Sequence, residues 1–220
     1  MKNLKKILLC GLCLTAVAAA SILGTLAYLT DTDSAVNTFT VGKVDIKLDE
    51  TDVDETGRPI EGADRVRENE YHLLPGMRYT KDPAITVQPN SAQSYVRMIL
   101  TVHNAGAVQS VIDAHGLGDF SALIGGWDPE VWRFQGFTTD DEAGTISFEF
   151  RYMETVSAED TPVALLPLFD TLIVPETVTA EELSGLFSGG FKMVLTGHAI
   201  QAAGFETESD AWAAFEKQIK

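Results

Sequence analysis

Three separate stretches of this chain alternate apolar and polar side chains with a period of two, and that pattern narrows the fold more than any other feature. Val44, Ile46 and Leu48 alternate with Asp45, Lys47 and Asp49. Val96, Met98, Leu100 and Val102 are interleaved with Arg97, Thr101 and His103, and Ile146, Phe148, Phe150 and Tyr152 with Ser147, Glu149 and Arg151. Successive side chains of a strand point to opposite faces, so each stretch reads as a strand with one buried face. Ala84 to Val87, Leu165 to Val174 and Phe191 to Ala199 are further strand candidates. Turn formers separate most of them: Pro75-Gly76, Pro89-Asn90, Gly125-Gly126 and Gly189-Gly190. Several strands without long intervening helices predict a mainly β chain folded as an antiparallel β-sandwich.

Helical signals are short. Thr179-Ala180-Glu181-Glu182 has the form of a capping box, and Thr207-Glu208-Ser209-Asp210 opens a C-terminal helix with Trp212, Phe215 and Ile219 on one face. Val108 to Ile124 reads equally as helix or loop. Val96, Leu100, Phe148, Phe150, Leu195 and Trp212 are the expected core.

The N-terminus is organised differently. Lys2, Lys5 and Lys6 precede an apolar run of 23 residues, Ile7 to Leu29, whose only ionisable side chains are Cys10, Cys13 and Tyr28. Basic residues before an apolar run make an export signal. At ~1.5 Å per residue a helix of this length would reach ~34 Å, enough to cross a bilayer, so a retained anchor is the alternative. Thr25 and Ala27 supply small residues before a cut between Ala27 and Tyr28, which makes 1–27 the signal peptide. Leu9 and Leu12 stand where a lipoprotein signal needs a small residue before its cysteine. Both cysteines lie inside the signal, so the mature chain would contain none and would lack disulfides and thiol chemistry.

Charge narrows the partners. The 220 residues carry a net charge of −16. Loss of Lys2, Lys5 and Lys6 leaves 13 basic against 32 acidic side chains, a charge of −19. Such a chain repels phosphate backbones, so nucleic acid is excluded as a partner. Asp49 to Glu70 holds nine acidic residues among 22 and reads as a solvated loop. Within it Asp52, Asp54 and Thr56, followed by Gly57, imitate the first half of a calcium loop. Position 12 of such a loop is Ala63, where a bidentate Glu is needed. Calcium is thus a weak candidate ligand beside the plain reading of an acidic linker, and no other cofactor is expected.

No enzymatic motif is present. His72, His103, His115 and His198 form no HExxH pair, and no GxSxG elbow, P-loop or GxGxxG occurs. His103 and His198 fall on the polar faces of strands, as surface histidines or a ligand pair.

The signal region, continuing through Ala27-Tyr28-Leu29-Thr30-Asp31 and Asn37-Thr38-Phe39-Thr40-Val41-Gly42-Lys43, resembles the start of TasA and camelysin (CalY) proteins of Gram-positive bacteria. Leu74-Pro75-Gly76-Met77-Arg78-Tyr79-Thr80-Lys81-Asp82-Pro83, then Ile85-Thr86-Val87 and Ser94-Tyr95-Val96-Arg97, resemble a signature of the same family. So do Leu168-Phe169-Asp170, Ile173-Val174-Pro175, Ala199 to Phe205 and Glu208 to Phe215. The acidic loop, Asn104 to Gly126 and Gly197-His198 depart from it. The resemblance implies a jelly-roll-like sandwich, export through a SipW-type signal peptidase, and assembly with itself, and with other matrix proteins, into fibres of a biofilm matrix. It implies that an N-terminal strand of one subunit completes the sheet of the next.

Residues 28–48 form the possible donor strand ahead of a sandwich domain over 49–220, with Phe39, Val41, Val44 and Ile46 as assembly anchors. Thr38 to Leu48 reads equally as the first strand of its own sandwich, which leaves Tyr28 to Phe39 as the better candidate for exchange. The expectation is thus a secreted, matrix or cell-surface structural protein and not an enzyme. A monomeric adhesion module and a camelysin-like secreted peptidase are the alternatives. Exported material is predicted to begin within two residues of Tyr28; intact-mass measurement that finds Met1 or Lys2 retained on it favours the anchor.

Overall fold

A computed structural model describes residues 43–218. The signal segment 1–27, the Ala27 to Tyr28 junction, Phe39, Val41 and Ile219 lie outside the described residues.

Strand β4, Ser91–His103, has neighbours on both sides. It pairs antiparallel with β11 (Lys192–Gln201) on one side and with β7 (Thr145–Tyr152) on the other. β7 pairs in turn with β6 (Trp132–Asp140), giving the order β11-β4-β7-β6, and the short β8 (Val156–Ala158) joins the start of β4. The predicted alternation is what the sheet uses. Val96, Met98, Leu100 and Val102 point inward and none is more than 4% exposed, while Arg97, Ile99, Thr101 and His103 take the outer face.

The facing layer is made of two small sheets. One has the order β1 (Ile46–Asp49), β3 (Ala84–Val87), β9 (Val163–Ala164); the other β2 (Arg78–Thr80), β10 (Thr171–Ile173), β5 (Ile124–Gly125). All their pairings are antiparallel. Ile85, Tyr79 and Leu172 from this layer join Val96, Met98 and Phe150 in one continuous core, which completes an antiparallel β-sandwich. Gly197 on β11 lets the layers approach closely: a Cβ there would stand 2.9 Å from Ile85 Cδ1. β1 runs across the boundary drawn at 48/49, so residues from Ile46 onward already belong to the sandwich.

Two expectations need correction. Leu165 to Val174 is not one strand; only Thr171–Ile173 is, and Pro167 within the stretch has no N–H to donate to a ladder. Leu165, Leu168 and Phe169 still bury themselves from irregular backbone. Phe148 and Leu195 are half-buried rather than core, since each lines an open cavity.

The ambiguous stretch resolves into α1 (Ala105–Ala114), which buries Val108 and Ile112, and a single-turn 3-10 helix at Phe120–Leu123. α2 (Ala180–Ser188) opens on the expected capping box: Thr179 Oγ1 accepts from the Glu182 N–H while the Glu182 carboxylate accepts from the Thr179 N–H. α3 (Glu208–Gln218) is the expected C-terminal helix. Its Trp212 is 2% exposed but packs with Ile200 and Ala211 on the outer face of the large sheet, apart from the main core.

Depth on the inner face should set mutational cost. Phe150→Ala is expected to lower stability by about 3–5 kcal/mol, and Phe148→Ala by clearly less. Urea midpoints of the two variants check the order; equal shifts would contradict it.

Candidate functional site

The first feature is an aromatic groove. β6 ends the large sheet and pairs only with β7 among the described residues. Phe134 and Phe137 lie opposite Phe150 and Phe148 on the inner face, although three residues apart, because a bulge between Phe134 and Gly136 inserts one residue. The facing wall is Phe120, Leu123, Ile124 and Trp127. Ring centroids lie 5.1 Å apart for Phe120 and Phe148 and 5.7 Å for Trp127 and Phe150. Together they line a cavity of about 510 Å³. The facing wall leaves the β6 side of the groove open, with Phe134 42% and Phe137 61% exposed. Asp119 at the rim is already engaged by the hydroxyl and then the N–H of Ser121, which hold its carboxyl below the usual range. Periodicity alone missed β6, because Phe134 and Phe137 break the two-residue rule; the aromatics flanking Gly136 were the available signal.

The second feature is an exception within the acidic loop Asp49 to Glu70, most of whose carboxylates are exposed. Asp49 and Glu50 are each only 4% exposed. They are neutralised by Lys81 and Arg65 from farther along the chain and by Lys47 in the same strand as Asp49. Lys81 Nζ lies 2.7 Å from Glu50 Oε2, Lys47 Nζ 2.7 Å from Asp49 Oδ2, and Arg65 Nε 2.7 Å from Asp49 Oδ1. Arg65 Nη1 also reaches Asp82 Oδ2 at 2.9 Å, and the N–H of Thr51 donates to Asp82 Oδ1 at 2.7 Å. Burial pushes the Asp82 carboxyl up, but the Thr51 and Arg65 hydrogen bonds outweigh it and hold its pKa below the ordinary value. Lys81-Asp82-Pro83 thus supplies both signs of charge to the loop and starts β3. The cluster borders a cleft of about 410 Å³ that runs to β11, with Leu195 on its far wall.

The calcium candidates lie in this loop as a hairpin turn. Asp54 Oδ1 accepts from the Thr56 N–H at 2.8 Å, the Thr56 hydroxyl at 2.6 Å and the Arg58 N–H at 3.1 Å. These bonds, Thr56 first, hold its pKa low. Gly57 takes φ 75 against Tyr79, where a Cβ would stand 2.5 Å from Cδ1. The Asp52 carbonyl accepts from the Ile60 N–H at 3.0 Å. Asp54 and Thr56 are therefore brought together by the turn itself. No group of three His, Cys, Asp or Glu that could hold a metal occurs among the described residues. Of the assembly anchors, Val44 is half-buried just before β1, and Ile46 stands opposite Val87 in the chain's own sheet.

The third feature is on the outer face. His198, Arg97, Arg151 and Arg133 form one cross-strand row, and α3 lies over it. Arg97, 4% exposed, sits 4.4 Å from the Trp212 ring and pairs with Glu216. Its Nε donates to His198 Nδ1 at 3.1 Å. Burial and then the Arg97 charge push the His198 pKa down. His103 stands at the other end of the β4–β11 pairing, opposite Lys192, so the two histidines do not meet.

Compared with family models, with curated proteins and with solved structures, the chain matches none.

The Asp82 contacts predict an acid limb. A depressed folded pKa contributes stability that is complete above the unfolded value of about 3.9 and is lost as pH falls through the folded value. Asp82→Asn should flatten the fall in thermal melting temperature below pH 4, relative to the parent. Parallel curves for the two proteins would show that Asp82 does not carry the limb.

Proposed function

We propose that this protein is an exported structural subunit of an extracellular matrix that joins copies of itself head to tail, residues 28–42 of one copy adding to the sheet of the next. β6 carries the reading: a nine-residue strand at the end of its sheet, with the aromatic groove behind it left open. Strand addition draws affinity from an unpaired backbone edge and specificity from pockets that take alternate side chains. The proposed donor contains no proline and offers Tyr28, Leu29, Val36, Phe39 and Val41. Ile46–Asp49 is already engaged with β3, which favours a donor confined to residues before Lys43. Such a contact is heterologous and propagates into filaments when it does not close into a ring.

The resemblance to TasA and camelysin proteins supports the same reading and adds a SipW-type signal peptidase and other matrix proteins as partners.

The mature protein should form filaments visible by electron microscopy, more readily with added salt, which screens its −19 charge. Deleting residues 28–39, or the single change Phe137→Asp, should leave a folded monomer by sedimentation and circular dichroism. Filaments undiminished in both variants would overturn strand addition at β6. A wild-type monomer would favour the adhesion module.

A further inference from the structure

We propose that Lys81 and Asn69 are joined by an intramolecular isopeptide bond whose formation Glu50 catalyses. The three side chains stand in the order the chemistry needs. Lys81 Nζ donates to Glu50 Oε2 at 2.7 Å, and Asn69 Nδ2 donates to Glu50 Oε1 at 3.0 Å, so one carboxylate holds the amine and the amide together. The Asn69 carbonyl oxygen accepts from the Val53 N–H at 3.1 Å, and its amide nitrogen also donates to the Thr51 carbonyl at 2.9 Å. The amide is thereby fixed in orientation, with a backbone donor on the oxygen where negative charge would develop. Lys81 is 8% and Glu50 4% exposed, and the Tyr71 ring lies 5.5 Å from the ammonium. The neighbouring cations Lys47 and Arg65 pair with Asp49 and Asp82, which leaves both Glu50 oxygens to Lys81 and Asn69.

The step balances without any further reactant. Glu50 accepts a proton from the Lys81 ammonium, and the neutral amine attacks Asn69 Cγ. The Val53 N–H stabilises the tetrahedral oxygen. Glu50 gives the first proton to Nδ2 and takes the second from the attacking nitrogen; collapse breaks the Cγ–Nδ2 bond, and the departing ammonia leaves with the second proton. The products are an Nζ–Cγ amide and ammonium; nothing is oxidised or reduced, and Glu50 ends as it began. The bond would close the segment that carries the Leu74 to Met77 turn and β2, and pin the acidic loop to the sandwich. In a mature chain without cysteine it supplies the covalent brace that a disulfide would otherwise give. This inference does not depend on the assembly reading.

Tryptic digestion of the full chain, purified in folded form and read by tandem mass spectrometry, decides it. The expected product is a branched peptide joining residues 68–78 to residues 79–97, uncut after Lys81 and lighter than its parts by one ammonia, about 17 Da. In Glu50→Gln and in Lys81→Arg the branched peptide should be absent and the missing ammonia restored in the intact mass. Wild-type protein that yields the free 68–78 peptide with intact Asn69 and the free Tyr79-Thr80-Lys81 peptide in stoichiometric amounts overturns the proposal. That result stands whether or not the variants fold. A branched peptide that persists in Glu50→Gln would overturn the role given to Glu50.

Discussion

The structure hangs on the pairing of β4 with neighbours on both sides. β11 and β7 are registered to the same residues of this strand from Arg97 to His103, so within its inward set of Val96, Met98, Leu100 and Val102 the last three have partners left and right. A slip of one residue on either side would turn that set toward solvent, which is why alternation so strongly specifies register. The polar face of the same strand is not idle. Arg97 is as buried as the core residues beside it, and it is covered by a helix that arrives from the far end of the chain. One strand therefore organises the core on one side and the docking of α3 on the other.

What could be read from the residues divides along the range of the interactions. The strands with clean alternation, the capping box at Thr179 and the C-terminal helix depend on neighbours in sequence, and they are where the pattern places them. β6 escapes because its two inward phenylalanines are three apart, a spacing that makes sense only once the bulge is known. The buried start of the acidic segment escapes for a different reason. Nine carboxylates in a row of 22 residues look solvated, whereas the charges that bury two of them, Lys81 and Arg65 above all, are set by chain folding. The calcium-like spacing of Asp52, Asp54 and Thr56 is a further case. An Asp followed two residues later by Thr and then Gly also builds a tight turn, and here Asp54 spends an oxygen on it.

The motifs that resemble the matrix family have distinct physical duties. Lys81-Asp82-Pro83 provides counter-charges for a buried loop, then a residue with no donor to waste ahead of β3. The segment from Ala199 to Phe205 finishes β11 and leads to the helix whose Trp212 and Glu216 cover Arg97. These duties belong to the fold, and the open aromatic groove is a part of the described surface that they do not account for.

The extra residue in β6 has a consequence for geometry on a larger scale. On either side of the bulge, the phase between backbone hydrogen-bonding groups and inward side chains differs by one residue. A strand laid along this edge can match its anchors to Phe134 and Phe137 in one alignment only. Copies joined through such an edge would therefore repeat with a single axial rise and a single twist, and the polymer would have two distinguishable ends.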